Sequence, residues 1–246
     1  MDRSLYIAMS GAKQTLLAQA SNANNLANSQ TTGFKSDFEQ FRAMPVYGPG
    51  HPGRVYAMAE RPGSDFSPGP IQTTGNDLDV AIKGDGWFAV EGENGKEAYT
   101  RSGDLRITPE GRLETGNGRA IYGDAGPIII PAAEKIDIGT DGTISIIPLG
   151  ENETTVAVIG RIKMVKPDLD NMEKRNDNLI YTKDGSVPAA SVDVNLVQGA
   201  LEGSNVNTVS ALVEMIELAR NFELQTKVMK NADDNSGVSA KLMQMA

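Results

Sequence analysis

The chain opens with residues 1–28, MDRSLYIAMSGAKQTLLAQASNANNLAN, which contain one glycine and no proline. Within them, a set of positions recurs at alternating intervals of four and three residues, the spacing of one helical face and close to a heptad seam. These positions are Leu5, Met9, Ala12, Leu16, Gln19, Ala23 and Leu26. The spacing predicts a long amphipathic helix, which is marginal in water unless its apolar face is buried.

A second segment with the same properties lies at the other end of the chain, from residue 208 to about residue 235. It has neither glycine nor proline, and Asn207 or Thr208 can cap its first turn. The positions that would face a partner are Val209, Leu212, Ile216, Ala219, Phe222, Thr226 and Met229. Both helices would be about 40 Å long at 1.5 Å per residue. The sequence therefore predicts that the two ends form a coiled-coil-like pair.

Glycine and proline are concentrated between these two segments. Of the 26 glycines 24, and all 12 prolines, lie between Gly33 and Ser204. Residues 44–70 alone hold six prolines and five glycines, which excludes a long helix or a central strand. We interpret this stretch as an extended arm, with a disordered linker as the alternative. His51, the one histidine of the chain, lies in the arm without a partner motif and is interpreted as a bystander.

The stretch 76–200 alternates short β-branched or apolar runs with glycine-containing turns. Asn94-Gly95 is a strong hairpin signal, and Glu110-Gly111, Asp141-Gly142 and Asp184-Gly185 are further turns. Strands are predicted at residues 78–82, 87–90, 128–130, 144–147 and 156–159. Short strands with frequent turns favour an antiparallel sandwich or open barrel.

These elements predict an α+β fold in three parts. The N- and C-terminal helices would form a discontinuous helical core domain of residues 1–33 and 205–246. The extended Pro/Gly-rich arm would cover residues 34–75, and a central antiparallel β domain would cover residues 76–204.

The charge of the chain is concentrated in its middle. The formal net charge is −9, whereas residues 1–30 carry a net +1 and residues 205–246 a net −1. An acidic chain argues against nucleic-acid binding, and near-neutral ends indicate that the helices contact other protein. The chain has no cysteine, which excludes disulfides and thiolate metal sites, and no run of about 18 apolar residues that predicts a membrane span.

No constellation for catalysis, a cofactor or a metal is found. Gly84-x-Gly86 lacks the third glycine of a dinucleotide-binding turn, and Asp77 with Asp79 lacks the closing glutamate of a calcium loop. The sequence thus predicts a protein that is not an enzyme and has no cofactor.

Two functions of different classes fit these observations. In the first, the helical positions above, from Leu5 to Leu26 and from Val209 to Met229, build an assembly that displays the β domain. In the second, the β domain binds a ligand such as a glycan, and the helices only dimerise it. Trp87 is the one indole available for stacking on a sugar, which disfavours the second function.

Several motifs, in order along the whole chain, resemble the axial proteins of the bacterial flagellum, the family of rod and hook subunits. Asn24-Asn25-Leu26-Ala27-Asn28, continuing into Thr32-Gly33-Phe34-Lys35, resembles the family's N-terminal signature, and residues 74–88 resemble its entry into the first β domain. Ser204-Asn205-Val206-Asn207, with residues 220–223, resembles its C-terminal signature. The family usually has a small residue and tyrosine where this chain has Asn221 and Phe222.

The resemblance implies a structural subunit of the flagellar basal-body rod, which crosses the periplasm. Terminal helices of this family form the inner tube, where they would contact copies of this chain and other rod subunits and transmit torque. Such subunits leave the cell through the flagellar type III export apparatus without a cleaved signal. The first twelve residues resemble proximal more than distal rod subunits, with a distal rod or hook-type subunit as the alternative.

Overall fold

The computed structural model describes residues 3–38, 41–45, 55–59, 63–150 and 155–244. The chain divides into two compact units. The first comprises Met1–Asn28, Ser36–Asp65 and Val206–Ala246, and the second comprises Ser29–Lys35 and Phe66–Asn205. Helices fill most of the first unit and antiparallel strands the second, which confirms the predicted α+β class. His51 lies outside the described residues.

The first unit is built on two helices, α1 (Arg3–Ala27) and α2 (Thr208–Gln244). Asn207 caps α2, since its Oδ1 accepts hydrogen bonds from the backbone N–H groups of Val209 and Ser210 at 3.0 and 3.1 Å. The predicted end of α2 near residue 235 is wrong, because the helix continues through Gly237. A glycine inside a helix costs only about 1 kcal/mol relative to alanine and does not by itself end the helix.

The arm contributes two paired ribbons to the first unit. Strand β1 (Asp37–Phe38) pairs with β4 (Gly63–Ser64), and β2 (Phe41–Pro45) pairs with β3 (Val55–Ala59), both antiparallel. Most of the described residues between 37 and 64 therefore lie in paired strands and not in an unpaired linker.

The second unit consists of short antiparallel strands, β5 to β20 in the described part of the chain. They are β5 (Ile71–Thr73), β6 (Val80–Lys83), β7 (Trp87–Glu91), β8 (Glu97–Thr100), β9 (Leu105–Ile107), β10 (Leu113–Thr115), β11 (Tyr122–Gly123), β12 (Gly126–Pro127), β13 (Ala133–Ile138), β14 (Thr143–Pro148), β15 (Ala157–Arg161), β16 (Met164–Val165), β17 (Met172–Lys174), β18 (Ile180–Thr182), β19 (Asn195–Gln198) and β20 (Ala200–Glu202). Eight of these strands form a five-stranded sheet, β16-β7-β8-β18-β17, and a three-stranded sheet, β13-β14-β15. The others form the two-stranded pairs β5–β20, β6–β19, β9–β10 and β11–β12.

Strand β7 is buried on both of its faces. Phe88 and Val90 belong to one apolar cluster, while Trp87 and Ala89 belong to another. Residues 87–90 are therefore all buried instead of alternating between core and solvent, which is typical of a strand inside a covered sheet.

Two local predictions have different outcomes. The hairpin at Asn94-Gly95 is confirmed: a 3₁₀ turn at Glu93–Gly95 connects β7 to β8, with Gly95 at φ +71°. The strand predicted at residues 128–130 is wrong, because these residues form no continuous ladder: Ile129 makes an isolated bridge with Arg112, and the N–H of Ile128 bonds to Ile121 O at 3.1 Å.

The buried Tyr99 side chain leads to a prediction about alkaline stability. Burial, followed by the negative charge of Glu97, raises the pKa of the Tyr99 phenol above its ordinary value of 10.0. The unfolded chain releases this proton first, so the folded chain is expected to lose stability as pH rises above about 10. Tyr99→Phe should reduce this loss when urea unfolding is compared at pH 8 and pH 11. The control is Tyr6→Phe, because Tyr6 is exposed and its replacement should leave the loss of stability unchanged. An equal loss in the wild type and in Tyr99→Phe would contradict the expectation.

Candidate functional site

The two helices of the first unit run antiparallel to each other. Near one end of α1, the Asn22 side chain donates a hydrogen bond to the carbonyl of Ala211 at 2.7 Å. Toward the other end, a Cβ on Gly11 would lie 2.7 Å from the side chain of Gln225, so only glycine fits there without moving Gln225. Residues earlier in α1 therefore lie beside residues later in α2. The pair predicted from the sequence is therefore present in the structure.

Small and polar side chains form the buried face of α1. They recur at helical spacing and are Ala8, Ala12, Thr15, Ala18, Asn22 and Asn25. Residues of this size allow two backbones to approach closely. The larger apolar residues of α1 lie elsewhere on the helix.

The inward face of α2 follows a regular heptad spacing. Its buried or half-buried positions are Ala211, Met215, Leu218, Ala219, Phe222, Gln225, Met229 and Ala232. Apart from Ala219, they succeed each other at alternating intervals of four and three residues, as in a coiled-coil seam. Beyond Ala232, every residue up to Gln244 whose exposure is described is exposed. The last twelve residues of α2, about 18 Å of helix, therefore extend past the packed part of the pair.

The predicted interface positions fall into three groups in this structure. Ala12 is buried; the half-buried ones are Leu5, Leu26, Ala219, Phe222 and Met229. The exposed ones are Met9, Leu16, Ala23, Val209, Leu212 and Ile216. The predicted stripes therefore mix two helix faces, because both faces repeat at heptad intervals and the sequence pattern weighted large apolar residues over alanine.

Large apolar side chains are exposed on both helices. On α2, Val209 is 69% and Ile216 70% exposed, with Leu212 and Val213 beside them. On α1, the exposed apolar residues are Tyr6, Met9, Leu16 and Leu17. Scattered apolar residues are normal on a protein surface, whereas a row of them along one helix is a candidate contact surface.

Asn22 belongs to the packed face of the helix pair, and the apolar pattern did not identify it. Its side chain is buried, and its one bond to Ala211 lies across the helix pair, so it fixes the axial register of α1 against α2. The only signal in the sequence is a polar residue at helical spacing from Ala12 and Ala18.

Removal of the Asn22 amide is expected to weaken the helix pair. Asn22→Ala should lower the free energy of unfolding by about 1–2 kcal/mol, measured by urea titration with helical circular dichroism, because a buried hydrogen bond is lost. Asn24→Ala is the matched control, since Asn24 is exposed on the same helix. Equal destabilisation by both substitutions would contradict the assigned role.

Asn25 attaches the arm to α1. Its side chain donates to the carbonyl of Asp37 at 2.6 Å and accepts from the N–H of Asp37 at 2.8 Å, as a paired strand would. A second attachment is the bond from Ser10 Oγ to the carbonyl of Ala57 at 3.1 Å. The arm is thus held on α1 at β1 and at β3.

The residues that resemble the family signatures lie partly at the end of α1 and the start of α2. The others, Gly33, Phe34, Ser204 and Asn205, lie in the second unit. Gly33 has φ +67°, and a Cβ there would lie 2.4 Å from the Arg101 carbonyl carbon, so both backbone angle and space require glycine. Since α1 already ends at Ala27, Gly33 serves this close approach rather than ending the helix. Phe34 and Ser204 are buried, and the N–H of Asn205 bonds to the carbonyl of Phe34 at 3.3 Å.

A groove of about 500 Å³ on the second unit bears on the ligand-binding alternative. Glu97 and Lys163 are among its lining residues and are paired to each other at 2.8 Å. Tyr122 is the aromatic residue of its lining, which offers one small platform for a sugar.

Within the described ranges, no three acidic or histidine side chains are grouped as metal ligands, and neither helix has the length and apolarity needed to cross a membrane.

Three family descriptions match successive parts of the chain. "Flagella basal body rod protein" matches residues 5–35, "Flagellar hook protein FlgE/F/G D1 domain" matches residues 81–146, and "Flagellar basal body rod FlgEFG protein C-terminal" matches residues 197–242. They cover α1, the centre of the β-rich unit and most of α2.

Relatives match over the full length as well. The chain is 41% identical to the flagellar basal-body rod protein FlgF of Escherichia coli K12 and 40% identical to that of Salmonella typhimurium LT2, with all of each chain covered. It is 31% identical to the flagellar basal-body rod protein FlgG of Bacillus subtilis 168, over 95% of this chain and 96% of that protein.

Proposed function

The chain belongs to the flagellar basal-body rod protein family and is a structural subunit of the basal-body rod, and from this premise we propose that it assembles through the apolar faces that α1 and α2 leave exposed. Members of this family assemble with other flagellar rod components. The proposal concerns which surface of this chain makes those contacts.

The observation that carries the proposal is the second apolar stripe on each helix. One face of the pair is already buried within the chain, yet Val209, Ile216 and Met9 remain more than half exposed. Burial of such side chains contributes about 0.8 kcal/mol per methylene, a gain repeated at each subunit. The small net charge of both ends adds little repulsion between neighbouring copies.

Copies of this chain and other rod subunits are the proposed occupants of these faces. The identity of 40–41% to proteins named FlgF, against 31% to one named FlgG, supports a place in the proximal rod. We further propose that the rod carries this chain across the periplasm, that the chain acts without catalysis, and that it is exported through the flagellar type III apparatus. The lack of cysteine suits export of an unfolded chain, because no disulfide can form on the way.

Cysteine footprinting tests the proposed surface. Because the chain has no cysteine, Ile216→Cys introduces a single thiol. We expect this thiol to react with a maleimide within minutes in the free protein, and at least tenfold more slowly in isolated basal bodies, where neighbouring chains would cover it.

Val158→Cys is the matched control on the β-rich unit. Val158 is 66% exposed, close to the value of Ile216, but lies outside the helices. Its thiol should stay reactive in basal bodies. Equal reactivity of Cys at position 216 in free and assembled protein would overturn the proposed helix surface.

A further inference from the structure

Three charged side chains meet inside the β-rich unit with almost no access to water. Lys35 Nζ lies 2.6 Å from Glu202 Oε1, and Arg101 Nη1 lies 2.8 Å from Glu202 Oε2. At most 3% of each residue is exposed. Each carboxylate oxygen therefore has its own cation, and we refer to Lys35, Arg101 and Glu202 as the ionic clamp.

Further bonds connect the ionic clamp to surrounding backbone. Lys35 Nζ also donates to the carbonyl of Ser67 at 2.7 Å, and the N–H of Gly69 donates to Glu202 Oε1 at 2.9 Å. Arg101 Nη2 donates to the carbonyl of Gly84 at 2.9 Å. The clamp thus joins segments of the chain that are far apart in sequence.

Trp87 closes one side of the clamp. The Arg101 guanidinium lies 4.9 Å and Lys35 Nζ 5.8 Å from its ring centroid, so both cations face the electron-rich ring. The ring thus gives a favourable contact to the positive charge that the single carboxylate leaves in excess.

The clamp lies at the two places where the chain connects to its terminal helices. Lys35 ends the stretch 29–35 that follows α1, and Glu202 ends β20, shortly before α2 begins. The N–H of Gly33 also bonds to the Glu202 carbonyl at 2.8 Å, which holds the two connections side by side.

A buried ion network contributes little net stability, because desolvation of the charges offsets most of their attraction. Its advantage is geometric, since a carboxylate with two cations accepts few alternative arrangements. We propose that Lys35, Arg101 and Glu202 are positioning residues that fix the two helix connections, and that incorporation into the rod depends on them. The proposal rests on assembly through the terminal helices.

Lys35→Met in the full-length chain is the direct test. Glu202 keeps Arg101 as counter-ion in this variant, so the β-rich unit should stay folded, with Trp87 still emitting as a buried indole. Hydrogen exchange of the amides of residues 29–35 and of Ser67 and Gly69 should rise at least tenfold, while exchange in β7 and β8 stays at the wild-type rate. The amount of the variant in purified basal bodies should fall at least tenfold.

Lys163→Met provides the matched control, because Lys163 pairs with Glu97 in the same unit away from both connections. It should be incorporated like wild type. Lys35→Arg, which retains a cation beside Glu202, should restore incorporation to at least half of the wild-type amount.

Two results would overturn the inference. One is unchanged exchange in residues 29–35 of Lys35→Met, and the other is normal incorporation despite faster exchange. Equal loss of incorporation in Lys35→Met and Lys35→Arg would also count against it. The exchange experiment uses the free chain, so its outcome is independent of the thiol protection at position 216 that tests the helix surface.

Discussion

Ile216→Asp is expected to abolish incorporation into the rod while changing the free energy of unfolding by no more than about 0.5 kcal/mol. Ile216 is 70% exposed in the single chain, so a carboxylate at this position stays in water and disturbs nothing. In the rod, the same carboxylate would be buried against a neighbouring helix without a cation, at a cost of several kcal/mol.

Complementation of a strain that lacks the native subunit measures this effect as swimming in soft agar, with urea titration of the purified protein beside it. Asn221→Asp adds the same charge to an exposed polar position of α2 and should swim normally. Normal swimming by Ile216→Asp would contradict assembly through this face. Leu26→Asp is a less clear test, because Leu26 is already half-buried within the chain.

The largest effect on stability is expected from Glu202→Gln, which should lower the free energy of unfolding by about 3–5 kcal/mol. The substitution keeps the shape of the side chain but leaves Lys35 and Arg101 buried together without their anion. Repulsion between them and their unrecovered desolvation both favour the unfolded chain.

Urea titration followed by Trp87 fluorescence is suited to this measurement, since Trp87 stacks on the clamp and is the single tryptophan. Glu97→Gln is the control: its pair with Lys163 is 13–16% exposed, and a loss of about 1 kcal/mol is expected there. A similar loss in both variants would show that the clamp is no more than an ordinary ion pair.

Sequence patterns identified the helices well and their packed faces poorly. The scarcity of glycine and the absence of proline at both ends located α1 and α2, and Asn207, one of the two residues expected as the cap, caps the second helix. The packed face escaped prediction because Ala8, Ala18 and Asn22 carry little hydrophobic signal. A face of small residues becomes recognisable only when a second backbone, such as that of α2 at Ala211, lies against it.

The clamp and the arm depend on contacts between residues distant in sequence. Glu202 is 101 residues from Arg101 and 167 from Lys35, and no local pattern indicates that these charges meet. The pairing of β2 with β3 was hidden by the prolines around it, which exclude a central strand but are compatible with a ribbon of two strands. Turn glycines in the β-rich unit, by contrast, act locally and were predicted correctly at Gly95.

The unequal lengths of the two helices have a mechanical consequence. The last twelve residues of α2, about 18 Å of helix, extend past its packing against α1. In a rod built through the helices, as proposed above, we expect this length of α2 to overlap a neighbouring chain. A twisting load would then pass between subunits as shear along helices that lie side by side.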